Sequence, residues 1–506
     1  MDIPDGSVFK EHPAFGRNPL LNKPGAPIQL GAIISYDDVT FNNPLGFARG
    51  HNKLGIVTFT LVNLDLSVRN NLEYIMPICI FNHAHVPKYG MTMLFSGADK
   101  HTGCIQPNQE SSPGGQLREF DKGIQLSAPH PQTGFAPRQF KMHLLAIVAD
   151  FPAAQCLTPH MESVSTRSPS RNSNWDTNDP HAHKASSYVR SGTWVHDGKA
   201  QRIANRWKVR TLAQTTAHLE TLKKKNPTSR KSEMQRWGYN KLVYAVQPSL
   251  LPGFDYTKCM PEDPMHCDPD GNGRCQGYYT IYMLGQKGVG FERINERIDA
   301  YSSWLPGQKP PHLHPSIAKG AKGGKPTPGG KWRYSASQTM HFISHSVELL
   351  EPLVPDTSAP FWVCHLKYVE LHELAFRYQF TEAQRIHLDE LIYEYSMLFD
   401  AVREYDGCKM PKHQFQQLYP VQIQRFGPLR NLWTMRFEAW YQVGKRIAEA
   451  SNFKEAEKRI LEVYSLRSGR TIASGRLAHL GDTVPMYAGP ALPVDGVTKV
   501  SLPLSL

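Results

Sequence analysis

Two apolar runs that each end in acid constrain this chain more than any other feature. Residues 30–36 (Leu-Gly-Ala-Ile-Ile-Ser-Tyr) lead straight into Asp37-Asp38, and the chain then breaks at Asn43-Pro44-Leu45-Gly46. Residues 144–149 (Leu-Leu-Ala-Ile-Val-Ala) form a second run, ending in Asp150 and followed by Phe151-Pro152-Ala153. Short apolar runs enriched in β-branched residues and bounded by turn signals read as buried strands. The fold must therefore bring acidic side chains out at the ends of two core strands. Each acid alone reads equally well as a turn residue, since Asp side chains satisfy turn backbone. Together they suit a two-metal phosphoryl-transfer site, where carboxylates on rigid neighbouring strands hold divalent ions roughly 3.5–4 Å apart.

The rest of the chain divides around these runs. Residues 1–29, rich in Pro, Gly and Asn, read as an extended lead-in, and 30–159 as a strand-rich unit with a further strand at 54–64 and a helix from 71 to about 81. Residues 160–240 begin as a polar loop and become a basic, partly helical arm with Arg202, Arg206, Lys208, Arg210, Lys223, Lys224 and Lys225. Such a cluster reads as a phosphate-contacting or nuclear-localisation patch, or equally as a solvated helix face. Residues 241–425 read as mainly helical, with a Gly/Pro/Lys linker at 305–334. Apolar residues recur at helical spacing through Ile281, Leu284, Ile294 and Ile298, and Thr381 with Gln384 opens another helix with a capping signature. Residues 426–464 carry the last helices, one over 432–450 and one over 453–464, and 465–506 read as a loosely ordered tail.

A third acid, Glu438, sits between Phe437 and Trp440 on the first of those helices, either as a rim charge beside Arg436 or as an inward-facing ligand. Two other metal motifs fail on spacing. Asp268-Pro269-Asp270-Gly271-Asn272-Gly273 opens like a calcium loop, but Tyr279 stands where the bidentate Glu is required. Cys259, Cys267 and Cys275 with His266 are separated by eight-residue steps, unlike zinc ligands. His181, His183 and His196 lie in the polar loop and read as solvent-exposed.

With 40% hydrophobic residues the chain builds a real core, and 57 Lys+Arg against 45 Asp+Glu leave a charge of +12 that leans towards a polyanionic partner. Eight cysteines without a CxxC pair point to free thiols in a reducing compartment. The polar start shows no signal peptide, and no apolar run approaches the roughly 18 residues of a membrane span. The expectation is a soluble, intracellular protein.

In order along the chain, Tyr36-Asp37-Asp38, Asn43-Pro44-Leu45-Gly46, Lys53 and Asn63-Leu64 resemble the transposases of CACTA-type (En/Spm-like) DNA transposons. So do Asp150-Phe151-Pro152-Ala153, Asp263-Pro264-Met265-His266, Lys412-His413, Tyr419-Pro420, Gly427-Pro428-Leu429 and Met435-Arg436-Phe437-Glu438. The resemblance covers about 37–465. It implies an α/β fold: an RNase H-like core, a mixed sheet flanked by helices, interrupted by a large, mainly helical insertion. It implies a DDE triad of Asp37, Asp150 and Glu438 holding two Mg2+ (or Mn2+) ions, with Asp38 as a further metal ligand and His266 and His413 nearby. The implied activity is DNA strand cleavage and transfer in the nucleus, by a homo-oligomer on DNA.

The chain also departs from that pattern. Where the family carries a Cys/His cluster, residues 172–183 hold no cysteine, so zinc is not expected. Cys-Asp-Pro-Asp-Gly-Asn-Gly follows His266 in place of an apolar helix, and the start at Met1 leaves no room for an N-terminal DNA-binding domain. A truncated, decayed or domesticated copy fits these departures, and so does a non-catalytic DNA-binding or assembly protein that keeps the fold. A nuclease acting on RNA or RNA–DNA hybrids is a third reading.

Overall fold

The computed structural model describes residues 6–12, 14–15, 26–40, 53–64, 69, 71–83, 86, 91, 123–130, 134–163, 170–173, 192–196, 199–203, 209–249, 251, 253–305, 307–314, 317, 332–406, 408, 410–451, 455–473, 484–486 and 500–502. The first apolar run lies in β1 (Ile28–Thr40), the middle strand of a five-stranded mixed sheet. Its neighbours are β2 (Lys53–Leu61), β3 (Met76–Asn82), β4 (Ile124–His130) and β5 (Gly134–Val148), in the order β3-β2-β1-β5-β4. β1, β2 and β3 pair antiparallel in sequence, β4 and β5 pair antiparallel, and β1 runs parallel to β5. Asn63 clasps the start of β1: its side chain accepts from Gly31 N at 2.7 Å and donates to Gln29 O at 3.1 Å.

The helix expected over 71–81 is instead a single 3₁₀ turn, Leu72–Tyr74, followed by β3. Pro77 would leave a helix without an N–H, whereas here it stands opposite Thr58, at a shift in the register with β2. Ile78 then packs on one side of the sheet and Ile80 on the other.

Strand alternation gives the sheet two covered faces. Ile33, Val39, Ile56 and Val148 pack against α14 (Met435–Ala450) and α15 (Ala456–Ala473) through Phe437, Trp440, Tyr441 and Ile460. Ala32, Ile34, Tyr36 and Ile147 pack on the other side against α2 (Phe151–Leu157) and α3 (Leu212–Lys223), through Ala153, Leu157, Leu219 and Leu222. α15 continues to Ala473, beyond the expected start of the loose tail. The short α1 (Ser7–Glu11) adds Phe9 to the α14 face.

The polar and basic segment is more ordered than its composition suggests. An antiparallel hairpin pairs Gly192–His196 with Lys199–Ile203, and α3 is followed by α4 (Pro227–Trp237). Residues 244–260, including the turn α5 (Tyr256–Cys259), pack with the sheet through Tyr244, Val246, Phe254 and Met260. A second, purely helical core starts at Met265. It gathers α6 (Pro264–Cys267), α7 (Gly273–Gln286), α8 (Phe291–Ala300), α9 (Ala336–Leu350), α10 (Pro360–Ala375), α11 (Glu382–Ala401), α12 (Pro411–Gln416) and α13 (Tyr419–Phe426). Thr381 and Gln384 form the expected capping box of α11. Most of the linker expected at 305–334, residues 318–331, lies outside the described residues. The protein is thus mixed α/β: a sheet covered by helices, with a helical body between the second strand-end acid and the third acid.

Candidate active site

The parallel register between β1 and β5 brings the two strand-end acids together. Ser35 pairs with Val148, so Asp37 and Asp150, each two residues further on, leave neighbouring strands at the same level. Adjacent strands lie about 4.8 Å apart. Both follow the strand positions that face α14. Tyr441 fixes that helix to the sheet, donating to Ser35 Oγ at 2.8 Å and lying 3.4 Å from Thr58 Oγ1. Glu438, one turn earlier on α14, then reaches the same region as Asp37.

The electrostatics carry the same geometry. Burial, then the charge of Asp150, pushes the Asp37 carboxyl up to about 6, although it accepts from the Asp38 amide at 2.7 Å. Burial also raises Asp150, which caps α2 by accepting from Ala153 N at 2.8 Å. Glu438 rises to about 7 through burial, with Asp263 and Asp37 repelling its charge. Three acids therefore resist ionisation because they share a poorly hydrated region with one another.

One cation inside the protein answers them. His266, on α6, donates from Nδ1 to Asp263 Oδ2 at 2.5 Å and presents Nε2 to Glu438 Oε1 at 3.3 Å. Burial alone would lower its pKa, but Asp263, Glu438 and Asp150 outweigh that and lift it to about 9. Asp263 is buried yet held below the ordinary carboxylate range, since His266 and Thr434 together overcome the cost of burial. It accepts from the amides of Met265 (3.2 Å) and His266 (3.3 Å), capping α6, and from Thr434 N (3.0 Å) and Oγ1 (2.7 Å). Thr434 Oγ1 also lies 3.2 Å from Glu438 Oε1. Asp263 thereby pins the helical body to the root of α14.

Not every expected site residue belongs here. Asp38, next to Asp37, points to the opposite face by simple alternation. It accepts from Tyr36 Oη at 2.6 Å and pairs with Lys53 (2.8 Å) and His83 (3.2 Å), which ties β1 to β2, while its charge still helps to raise Asp37 and Asp150. His413 is buried in the helical body against Tyr395 and Phe399, with its Nδ1 on the Met410 backbone. Asp268, the first residue of the calcium-like loop, is buried and accepts from Gln416 Nε2 at 3.0 Å, with His372 Nδ1 at 2.7 Å, which makes it part of the packing.

Among the expected DNA-contacting residues, Arg210 is a correction. Its guanidinium is buried and donates to Ser173 O (2.6 Å), Tyr239 Oη (3.3 Å) and Trp237 O (3.3 Å), so it ties loops together and offers nothing to a phosphate. Lys223 and Lys224 are exposed, while Lys225 pairs with Glu233. Arg202 lies in the hairpin strand, its side chain outside the described set, and Arg206 and Lys208 lie outside the described residues.

Thr434 and Tyr441 are site-building residues that residue patterns did not single out, and Asp263 enters only within the Asp-Pro-Met-His element of the resemblance, without a site role. The readable signal was Asp263-Pro264, an N-cap followed by proline at the first helical position. No group of three or more His, Cys, Asp or Glu among the described residues stands close enough here to hold a metal ion. No helix among the described residues is long and apolar enough to cross a membrane. The seven described cysteines are free thiols. No protein-family model matches the chain, and no curated protein matches its sequence.

Proposed function

We propose that this chain is a DDE-type, transposase-like protein that cleaves and transfers DNA strands on an RNase H-like core. The observation that carries the reading is the placement of Asp37, Asp150 and Glu438: two on parallel neighbouring strands, the third on the helix that covers their face. The antiparallel β1–β2–β3 run, with β5 parallel to β1 and bearing the second acid, supports the same core. The resemblance to CACTA-type transposases runs through the same three acids.

The donor set is all carboxylate oxygen, which suits Mg2+ or Mn2+. Asp37, Asp150 and Glu438 would hold the ions, whose charge would relieve the repulsion that raises these carboxyls. When bound, such ions activate a water or a DNA 3′-hydroxyl and stabilise the leaving oxygen. The protein's own part is positioning. His266 holds Glu438 through Nε2 while Asp263 fixes its ring through Nδ1. Tyr441 fixes the helix that carries Glu438. Lys223 and Lys224, exposed at the end of α3, supply phosphate contacts that carry no sequence information. The resemblance implies that this activity belongs in the nucleus.

The test is Mg2+- or Mn2+-dependent nicking of supercoiled plasmid by the purified protein. Asp37→Ala and Asp150→Ala should each reduce nicking on the order of 10³-fold, equivalent to losing about 4 kcal/mol of transition-state stabilisation. Equal nicking by wild type and both variants overturns the reading. A second reading, a DNA-binding or assembly protein without catalysis, is favoured by one observation: the carboxylates do not here form a cluster close enough to hold a metal. It requires salt-sensitive DNA binding that is indifferent to EDTA.

A further inference from the structure

α4 is a helix with nothing to bury. Of its eleven residues none is buried, and those that turn inward, Arg230, Glu233, Met234 and Trp237, are only half-covered. A segment this polar has little reason to be held firmly by packing alone. Yet it is fixed at both ends and along one side. Asn226 caps its start by accepting from Ser229 N at 2.9 Å, Pro227 occupies the first turn, and Gly238, at φ 71°, closes its end. Arg230 donates to the carbonyls of Lys223 (3.2 Å) and Lys225 (2.7 Å), locking α4 to the end of α3 across a three-residue turn. Glu233 pairs with Lys225 and His218, and the His218 ring packs edge-on against Trp237 at 4.6 Å.

The far end of α4 is hydrogen-bonded to the segment that follows α2. Gly238 O accepts from Met161 N at 2.8 Å, Asn240 N donates to Pro159 O at 3.0 Å, and Tyr239 bridges to His160. Residues 159–161 follow α2, whose first turn is capped by Asp150. A rigid path therefore links the outer helix to one of the three acids.

What this rigid frame presents outward is chemically one-sided. Thr228, Lys231, Ser232 and Gln235 fall at i, i+3, i+4 and i+7, all exposed, with exposed Arg236 beside them. No acid falls within the stripe: on α4 Glu233 turns to Lys225, and on α3 Glu220 pairs with Lys223 at 2.6 Å. Hydroxyls, an amide and an ammonium at this spacing are the groups that reach base edges, and a helix about 10–12 Å across with its side chains fits a major groove about 12 Å wide.

We propose that α4 lies in the major groove of duplex DNA and reads it through Lys231, Ser232 and Gln235, with Arg236 and Lys224 on flanking phosphates. The inference rests on the DNA-acting reading above and adds to it the element that selects where the acids act. Helix-turn-helix modules place a second helix in this way.

The experiment uses the full-length protein, a 30-base-pair duplex pool of randomised sequence, and single strands of the same length. Wild type should bind duplex and enrich a preferred sequence. Gln235→Ala should flatten that preference at one or two positions and weaken binding to the enriched duplex about tenfold. Arg236→Gln should lower the slope of log K against log salt by about 0.9, the share of one lost phosphate contact. Arg236→Lys should keep the slope. All these side chains are exposed, so unchanged melting temperatures confirm that folding is intact. Duplex binding with an unchanged slope and preference in the α4 variants overturns this inference alone. Equal binding of single strands, weakened equally by the same changes, overturns the groove placement. If wild type binds neither form, the DNA-acting reading falls with it.

Discussion

Asp37→Asn should stabilise the metal-free protein while ending its catalysis. The wild-type carboxyl is raised from an ordinary 3.8 to about 6, first by burial and then by Asp150. A tenfold change in proton affinity corresponds to about 1.4 kcal/mol, so an ionised Asp37 opposes folding by about 3 kcal/mol above pH 6. Because the folded-state affinity for the proton is the higher one, the penalty is absent below pH 3.8, grows between 3.8 and about 6, and is constant above that. Asparagine keeps the shape and can still accept from the Asp38 amide, but carries no charge. Partial hydration of the site reduces the gain to about 2 kcal/mol. At about 2 °C for each kcal/mol in a large domain, the melting temperature at pH 8 in EDTA should rise about 4 °C, with almost no rise near pH 4. Wild type should recover the difference when Mg2+ is added, by about 2.7 kcal/mol at a hundred times the dissociation constant, and the variant should not. Calorimetry or fluorescence melting at pH 4, 6 and 8, with and without Mg2+, measures all of this. A variant that melts below wild type at pH 8 in EDTA refutes the reasoning, because the charge would then be serving a partner within the fold.

Other expectations follow from the neighbouring contacts. Glu438→Gln should likewise raise metal-free stability at pH 8, since Glu438 is lifted to about 7, but by less than Asp37→Asn because the His266 contact is weakened; melting curves compare the two. Thr434→Val removes the hydroxyl that Asp263 Oδ2 accepts at 2.7 Å and should cost about 1.5–3 kcal/mol by urea titration. His266, raised to about 9, adds stability that is complete below its ordinary 6.5 and is lost as pH rises through 9; His266→Gln should flatten the stability profile between those values. Glu262→Ala strands the buried Arg171 guanidinium, whose Nη1 lies 2.9 Å from Glu262 Oε2, and should cost about 3–5 kcal/mol, whereas Arg171→Met with Glu262→Leu should cost much less.

The residues differ in how far they could be read in advance. Asp37 and Asp150 were legible because apolar runs mark strands, and a strand end fixes where an acid emerges. Which face the acid takes was not, because that depends on the pairing partner; Asp38, equally acidic and adjacent, went to Lys53 and His83. The segment 76–82 misled because its isolated pattern is ambiguous, and only pairing with β2 decides it. Arg210 shows the weakness of counting positive charge: a guanidinium with five donors suits buried carbonyls as well as phosphates. Asp263 lay outside the charge pattern altogether, since its role depends on Thr434, 171 positions away.

The same clasp bears on the choice between catalysis and mere assembly. Asp263 joins the helical body to the root of α14, so it fixes Glu438 relative to the sheet, and His266 bridges the two acids. A module needed only for binding DNA gains nothing from this: the three raised carboxyls oppose folding, and a neutral polar set would pack as well. Acids held at such a cost, with the His266 cation set between Glu438 and Asp263, are the arrangement expected where charge must be available to a ligand. Divalent ions convert that opposition into binding energy, because they are strongest where the carboxylates repel one another most. The catalytic reading therefore requires that Mg2+ stabilise the wild type more at pH 8 than at pH 5, whereas an assembly protein would show the raised carboxyls without that response.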